Sequence, residues 1–167
     1  IIIASGARSS MPHCQTNETR MKNNDIVLVD MGVVYDGYCS DLTRCFFLGK
    51  RTPLHKKIHD IVWEAQRAGI KKAAPGVTCR EVDEASRAVI RKYGYGDLFG
   101  HSTGHGVGLE IHEAPGVAAN SDTVLGPGMV ITVAPGIYLP GKFGVRIEDM
   151  LLIQNKGNAA LTRGLDK

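Results

Sequence analysis

The chain has 167 residues, enough for one domain with a real core. Hydrophobic residues make up 43% and charged residues 22%, an ordinary balance for a globular fold in water. A formal net charge of +3, with no long basic run, argues against nucleic acid as a partner. The opening Ile1-Ile2-Ile3 is too short to span a membrane or act as a signal peptide, so no membrane partner is expected. Four cysteines, Cys14, Cys39, Cys45 and Cys79, form no Cys-x-x-Cys pair. A zinc knuckle and a disulfide scaffold are therefore disfavoured, and reduced thiols in a cytoplasmic protein are expected.

Taken in chain order, Ile1 to Pro12 reads as a strand followed by a Ser/Gly-rich loop. Ile26 to Leu48 reads as a long hairpin about Asp36-Gly37, a strong two-residue turn signal. Pairing about that turn sets Asp41 opposite Gly32 and Asp30 opposite Thr43. Strand side chains alternate, so these four share a face. Asp30 and Asp41 become diagonal neighbours, roughly 7–8 Å apart at the backbone. Like charges so placed repel unless something positive stands between them, and Gly32 leaves space for it. Taken alone, the pair is equally consistent with two polar positions on a wet face. The apolar run before Asp30 argues instead for burial and a partner.

Two helices follow. Thr52 caps the first, with Pro53 at its first position. Ile58, Ile61, Val62, Ala65 and Gly69 fall on one face, and Pro75-Gly76 ends it. Thr78 and Glu81 form a capping box for the second, whose apolar side carries Val82, Ala85, Val89 and Ile90. Gly94 and Gly96 close it. Neither helix is assigned any chemistry, and Lys56-Lys57 and Lys71-Lys72 read as solvated faces. The last third returns to strands over 101–112, 129–138 and 145–153, with a turn at 141–144. A hairpin, two helices and more strands give an α+β order rather than βαβ alternation.

Two segments carry chemistry. HSTGHGVGLEIHE, residues 101–113, places three histidines among glycines, which let backbone approach a ligand closely. Glu148 sits between Ile147 and Met150-Leu151-Leu152-Ile153, and a buried glutamate is costly unless paired or metal-bound. Arg146 shares its strand face, which leaves a simple salt bridge and a ligand role both open.

Asp30, Asp41, the His105 motif, Thr-Val-x-Pro-Gly-Ile-Tyr at 132–138 and Arg-Ile-Glu-Asp at 146–149 occur in an order that resembles the M24 metallopeptidases. That family includes methionine aminopeptidase, aminopeptidase P, prolidase and creatinase. The likeness runs from Ile-Ala-Ser-Gly at 3–6 to Leu161-Thr162, and its motifs favour the proline-peptidase branch. It implies a single catalytic-type domain over 1–167 with the pita-bread fold, a curved antiparallel sheet with flanking helices. It implies hydrolysis of the bond before proline in a peptide with proline second, as in aminopeptidase P or prolidase. It also implies two divalent ions, Mn²⁺ ahead of Co²⁺ or Zn²⁺. The resemblance makes Asp30, Asp41, His105 and Glu148 the metal ligands, with Asp41 and Glu148 bridging. A shared water would be the nucleophile and Glu148 would take its proton. His13, His101 and His112 would hold the substrate, Arg146 would orient Glu148, and Tyr38 and Tyr138 would pack.

The chain departs from the family pattern twice. Where the pattern has Thr-Val-Glu-Pro-Gly-Ile-Tyr, this sequence has alanine at 134. By the resemblance, the absent glutamate would bind the same ion as His105. The Asp30-Asp41-Glu148 site is therefore expected to fill first, with hydrolysis weak or absent. An inactive pita-bread module that binds peptide or protein is the alternative. A metal-free creatinase-like amidinohydrolase is disfavoured, because all four ligand types are present. The second departure is the start: the helices that precede Ile-Ala-Ser-Gly in the family are missing, so an amino-terminal truncation is expected. Exposed apolar surface should result, covered by the missing segment or by a second copy in a homo-oligomer.

Overall fold

A computed structural model describes residues 1–162 and 164. Its first third contains β1 (Ile2–Ser5), β2 (Ile26–Met31), β3 (Val34–Tyr35), β4 (Tyr38–Cys39) and β5 (Leu42–Phe47). Asp36 and Gly37 turn the chain between β3 and β4 with φ of 49° and 82°. A two-residue turn with both residues left-handed matches the twist of the flanking strands. The register this imposes sets Tyr35 opposite Tyr38 and, further down, Asp30 opposite Thr43, as the sequence predicts. β1 pairs along the free edge of β2.

Between these two stretches of ladder lies Gly32. A Cβ there would stand 1.8 Å from the Ser40 carbonyl oxygen. The glycine is thus demanded by the close approach of the Ser40 backbone.

Helices α1 (Pro53–Lys72) and α2 (Cys79–Lys92) begin at the predicted caps. The Thr52 side chain accepts from the His55 amide, and the Thr78 side chain accepts from the Glu81 amide. All five apolar positions expected on α1 are buried, and His59 and Gln66 join them. Val82 and Ile90 of α2 are buried, but Ala85 and Val89 are only half-buried. Cys79, Asp83 and Ser86 complete the inward face, so it is more polar than its periodicity suggests.

The remaining strands are β6 (Gly104–Gly106), β7 (Glu113–Val117), β8 (Val130–Val133), β9 (Gly136–Leu139), β10 (Phe143–Arg146), β11 (Asp149–Ile153) and β12 (Asn158–Ala160). The expected strand over 129–138 is really two, broken at Ala134-Pro135, because proline cannot donate to a ladder. The strand over 145–153 breaks likewise at Ile147-Glu148. The turn between β9 and β10 falls at 140–142, with Phe143 and Gly144 already paired.

Every strand pairing among the described residues is antiparallel. The ladders are β1-β2-β5, a five-stranded β12-β11-β8-β6-β7, and the hairpins β3-β4 and β9-β10. One apolar core joins the first sheet to α1 and the β9-β10 hairpin, through Ile26, Leu28, Ile58, Val62, Ile137 and Val145. A second joins the five-stranded sheet to α2, through Cys79, Val82, Ile131, Val133, Leu151 and Ile153. The two large sheets meet at an isolated bridge between Thr43 and Glu148.

Exposed apolar side chains gather at the β3-β4 tip. Val34 is 70% exposed and Tyr38 64%, with Leu109 and Ile111 exposed on the adjoining loop. The Cys39 amide donates to the Gly108 carbonyl and ties tip to loop. Tyr38 is therefore not the packing residue expected of it. Among the described residues, no helix is long and apolar enough to cross a membrane.

The two glycines of the first hairpin should respond differently to alanine. Gly32→Ala forces a backbone shift and should lower unfolding free energy by about 3 kcal/mol, at the upper end of overpacking costs. Gly37→Ala meets no neighbour within 4 Å and should lose only about 1 kcal/mol for its positive φ. Urea unfolding of both variants measures the difference.

Candidate metal centre

The Thr43–Glu148 bridge sets β5 beside the start of β11, and Asp41 lies two residues before Thr43 on the same face. His105 comes from β6. A Cβ at Gly104 would stand 1.9 Å from the Thr132 carbonyl oxygen, so only glycine lets β6 lie this close to β8. His105 Nδ1 donates to the Gly106 carbonyl at 3.0 Å, and its Nε2 faces the Asp41 carboxylate at 3.5 Å. One ligand atom each from Asp41, His105 and Glu148 lie within 4.8 Å of one another.

Asp41 and Glu148 are 7% and 4% exposed, so their charges are poorly solvated. Burial, then the charges of Asp41 and Asp30, push the Glu148 carboxyl up to about 7. Burial opposes protonation of His105, but Asp41, the Gly106 carbonyl and Glu148 outweigh it and raise its pKa. Two buried carboxylates and an imidazole thus converge on a point that favours positive charge. That donor set fits a divalent ion of borderline hardness.

Asp30, expected among the ligands, stands outside this trio. Its carboxylate accepts from Arg146 Nη2 at 2.5 Å. The fold thus draws Asp41, His105 and Glu148 within ligand distance of one another and pairs Asp30 with Arg146. The reason is electrostatic: Asp30 already has its countercharge.

Arg146 meets Glu148 through other groups. Its Nη1 donates to the Pro12 carbonyl at 3.1 Å and to the Tyr138 hydroxyl at 3.0 Å. Its Nε donates to Thr43 Oγ1 at 3.2 Å, and Thr43 Oγ1 donates in turn to Glu148 Oε2 at 2.8 Å. The guanidinium reaches Glu148 through this hydroxyl, and no direct Arg146–Glu148 salt bridge forms among the described residues. The hairpin register reveals Thr43's position, but nothing in the sequence reveals the role of its hydroxyl.

The carboxylates, the three motif histidines, His13, Arg146 and Ala134 all line one cavity of about 270 Å³. His13 and His112 are exposed at its wall, and the His112 ring lies 4.2 Å from that of His105. His101 is placed differently. Its Nδ1 is 2.8 Å from the Ser102 carbonyl, which can only accept, so Nδ1 carries the proton. Its Nε2 then accepts from the Tyr138 hydroxyl at 2.8 Å. Both nitrogens are occupied, and burial, chiefly, holds the ring's pKa down to about 4. Tyr138 links His101 to Arg146 and is not a mere packing residue; burial pushes its phenol up to about 12.

Helix α2 also enters the site. Arg87 donates to the carbonyls of Phe99 and His101, both at 2.9 Å. Asp83 holds Arg87 and accepts from the Thr103 hydroxyl at 2.8 Å. The Thr103 carbonyl takes the Ala134 amide at 2.6 Å, fixing the alanine's place in the cavity wall. The Asp83/Arg87 spacing is legible as a helical ion pair, but its target loop is not.

Antiparallel sheets meeting at a buried carboxylate–imidazole centre give the pita-bread fold a trio of side chains that could hold a metal ion. Residues 1–155 match the model of metallopeptidase family M24, and the chain belongs to that family. It is 48% identical over 162 residues to the Xaa-Pro dipeptidase of Pyrococcus horikoshii, an alignment spanning 97% of this chain and 46% of that protein. It superimposes on prolidase from Pyrococcus furiosus with a TM-score of 0.97 at 47% identity, covering 99% of this chain and 49% of that one. X-Pro aminopeptidase from Thermotoga maritima gives a TM-score of 0.97 at 42% identity, covering 99% and 47% respectively. The chain thus spans about half the length of the relatives it matches.

A histidine whose pKa is depressed binds its proton less readily folded than unfolded. Stability from His101 is full above the unfolded value of about 6.5 and is lost as pH falls toward 4. Ring NMR should show His101 titrating near 4. Tyr138→Phe removes the donor that favours the neutral ring and should raise that midpoint.

Proposed function

We propose that this chain carries the catalytic centre of a metal-dependent Xaa-Pro peptidase, hydrolysing the bond before a proline in second position, with activity impaired by Ala134. The observation that carries this reading is the Asp41-His105-Glu148 trio in a histidine-lined cavity. The names of the relatives, Xaa-Pro dipeptidase and prolidase, supply the substrate class. Mn²⁺ suits an oxygen-rich set with one imidazole, and Co²⁺ or Zn²⁺ would also be accepted.

Asp41, His105 and Glu148 would hold the first ion, and Asp30, once released from Arg146, would help hold a second. A bound divalent ion supplies a Lewis acid that polarises a carbonyl and acidifies water. Glu148 is the base placed to take a proton from attacking water and return it to the departing nitrogen. Thr43 donates to Oε2 of that carboxylate and so sets its plane. His13 and His112, exposed at the cavity wall, would bind the peptide. His101, with both nitrogens engaged, would act by orienting Tyr138. Free thiols at all four cysteines, three of them buried, support a cytoplasmic setting. The apolar β3-β4 tip would be covered by a second copy or by the rest of a longer chain.

Mn²⁺ titration with an Xaa-Pro peptide assay tests this reading. The chain should bind about one ion tightly and turn over slowly. His105→Ala should abolish that binding and Asp30→Asn should spare it. Ala134→Glu should tighten the ion that His105 helps hold and raise hydrolysis about tenfold or more, at least the effect of a group that only orients a ligand. Two tight ions and normal turnover in the unaltered chain would sink the impairment. An Ala134→Glu variant that binds metal yet remains silent would favour a peptide- or protein-binding module, the reading Ala134 itself makes serious.

A further inference from the structure

Behind Glu148 lies a second charged group that the peptidase reading does not use. Arg44 is 2% exposed and Asp149 1%, and Arg44 Nη2 meets Asp149 Oδ1 at 2.7 Å. A buried ion pair is poor evidence for stability, because well-packed apolar residues often serve as well. Its contacts suggest another use. Arg44 Nη1 donates to the Glu148 carbonyl at 2.6 Å and to the Thr43 carbonyl at 3.0 Å. The Glu148 amide donates to that same Thr43 carbonyl at 3.1 Å. Arg44 therefore grips the main chain of Glu148 while Thr43 grips its side chain.

Asp149 is itself anchored from two further elements. Its Oδ2 accepts from Gln66 Nε2 of α1 at 2.7 Å, and its Oδ1 accepts from Thr162 Oγ1 at 2.7 Å. The Thr162 hydroxyl also takes the Met150 amide at 3.2 Å. Glu148 sits at a break between strands, where ladder bonds alone hold it at one point. A planar guanidinium with several fixed donors can supply the missing constraint; a lysine ammonium cannot span the same acceptors.

We infer that Arg44 and Asp149 are positioning residues that set Glu148 for metal binding, with Gln66 and Thr162 holding Asp149 in place. This rests on the metal centre proposed above. Groups that orient a ligand typically change metal affinity 10- to 100-fold when removed, by roughly that range.

The test is Mn²⁺ calorimetry on the full chain, read beside thermal unfolding. Arg44→Lys and Asp149→Asn should each weaken Mn²⁺ binding about tenfold. Asp149→Asn preserves shape and carries the test if Arg44→Lys does not fold. Ile58→Val, a core change that removes none of these hydrogen bonds, should lower the melting temperature without moving Mn²⁺ affinity. The electron spin resonance of bound Mn²⁺ should change in the first two variants and not in the third. If both network variants bind Mn²⁺ like the unaltered chain, or Ile58→Val weakens binding equally, positioning is refuted and the metal centre stands. If the unaltered chain takes up neither Mn²⁺, Co²⁺ nor Zn²⁺, the metal centre itself is refuted.

Discussion

The rest of the structure depends on one contact, the bridge between Thr43 and Glu148. Two antiparallel sheets, each with its own helix and its own apolar core, touch there. Their junction is where buried carboxylates from distant parts of the chain come within ligand distance. Burying charge is expensive, so such a joint must carry its own compensation. Arg146 neutralises Asp30, Arg44 neutralises Asp149, and Asp41 and Glu148 are left facing His105. The asymmetry of this arrangement is what makes it a candidate cation site.

The helices, silent in a purely apolar reading, brace the junction. α1 sends Gln66 to Asp149 beneath Glu148. α2 sends Asp83 and Arg87 to the loop bearing His101 and Thr103. Polar residues on a buried helix face lower its apolar burial, and here those of α2 partner backbone groups of the loop at Phe99, His101 and Thr103. Ala134 belongs to the same braced wall. Its amide donates to the Thr103 carbonyl, which ties this part of the cavity lining to the loop that α2 holds.

Local rules carried a large part of the fold. The Asp36-Gly37 turn fixes the hairpin register residue by residue, because a two-residue turn admits one pairing. Caps at Thr52 and Thr78 place both helix starts, because orphan amides need acceptors whatever the tertiary context. The strands after residue 129 were harder. Their apolar runs are continuous, and only the ladder partners show that Pro135 and Glu148 mark changes of sheet.

The sequence by itself determined the α+β order, the hairpin register, the family motifs and the set of residues lining the cavity, since each follows from local pattern or from residues in a fixed order. Only the tertiary structure decided which carboxylates stand together. Asp30 is equivalent to Asp41 in hairpin geometry, yet Arg146, 116 residues away in the chain, claims it. Thr43, Tyr138 and Arg44 gained their roles in the same way, through hydrogen bonds to residues remote in sequence. Charge pairing across a junction of sheets depends on three-dimensional proximity, which no periodicity along the chain records.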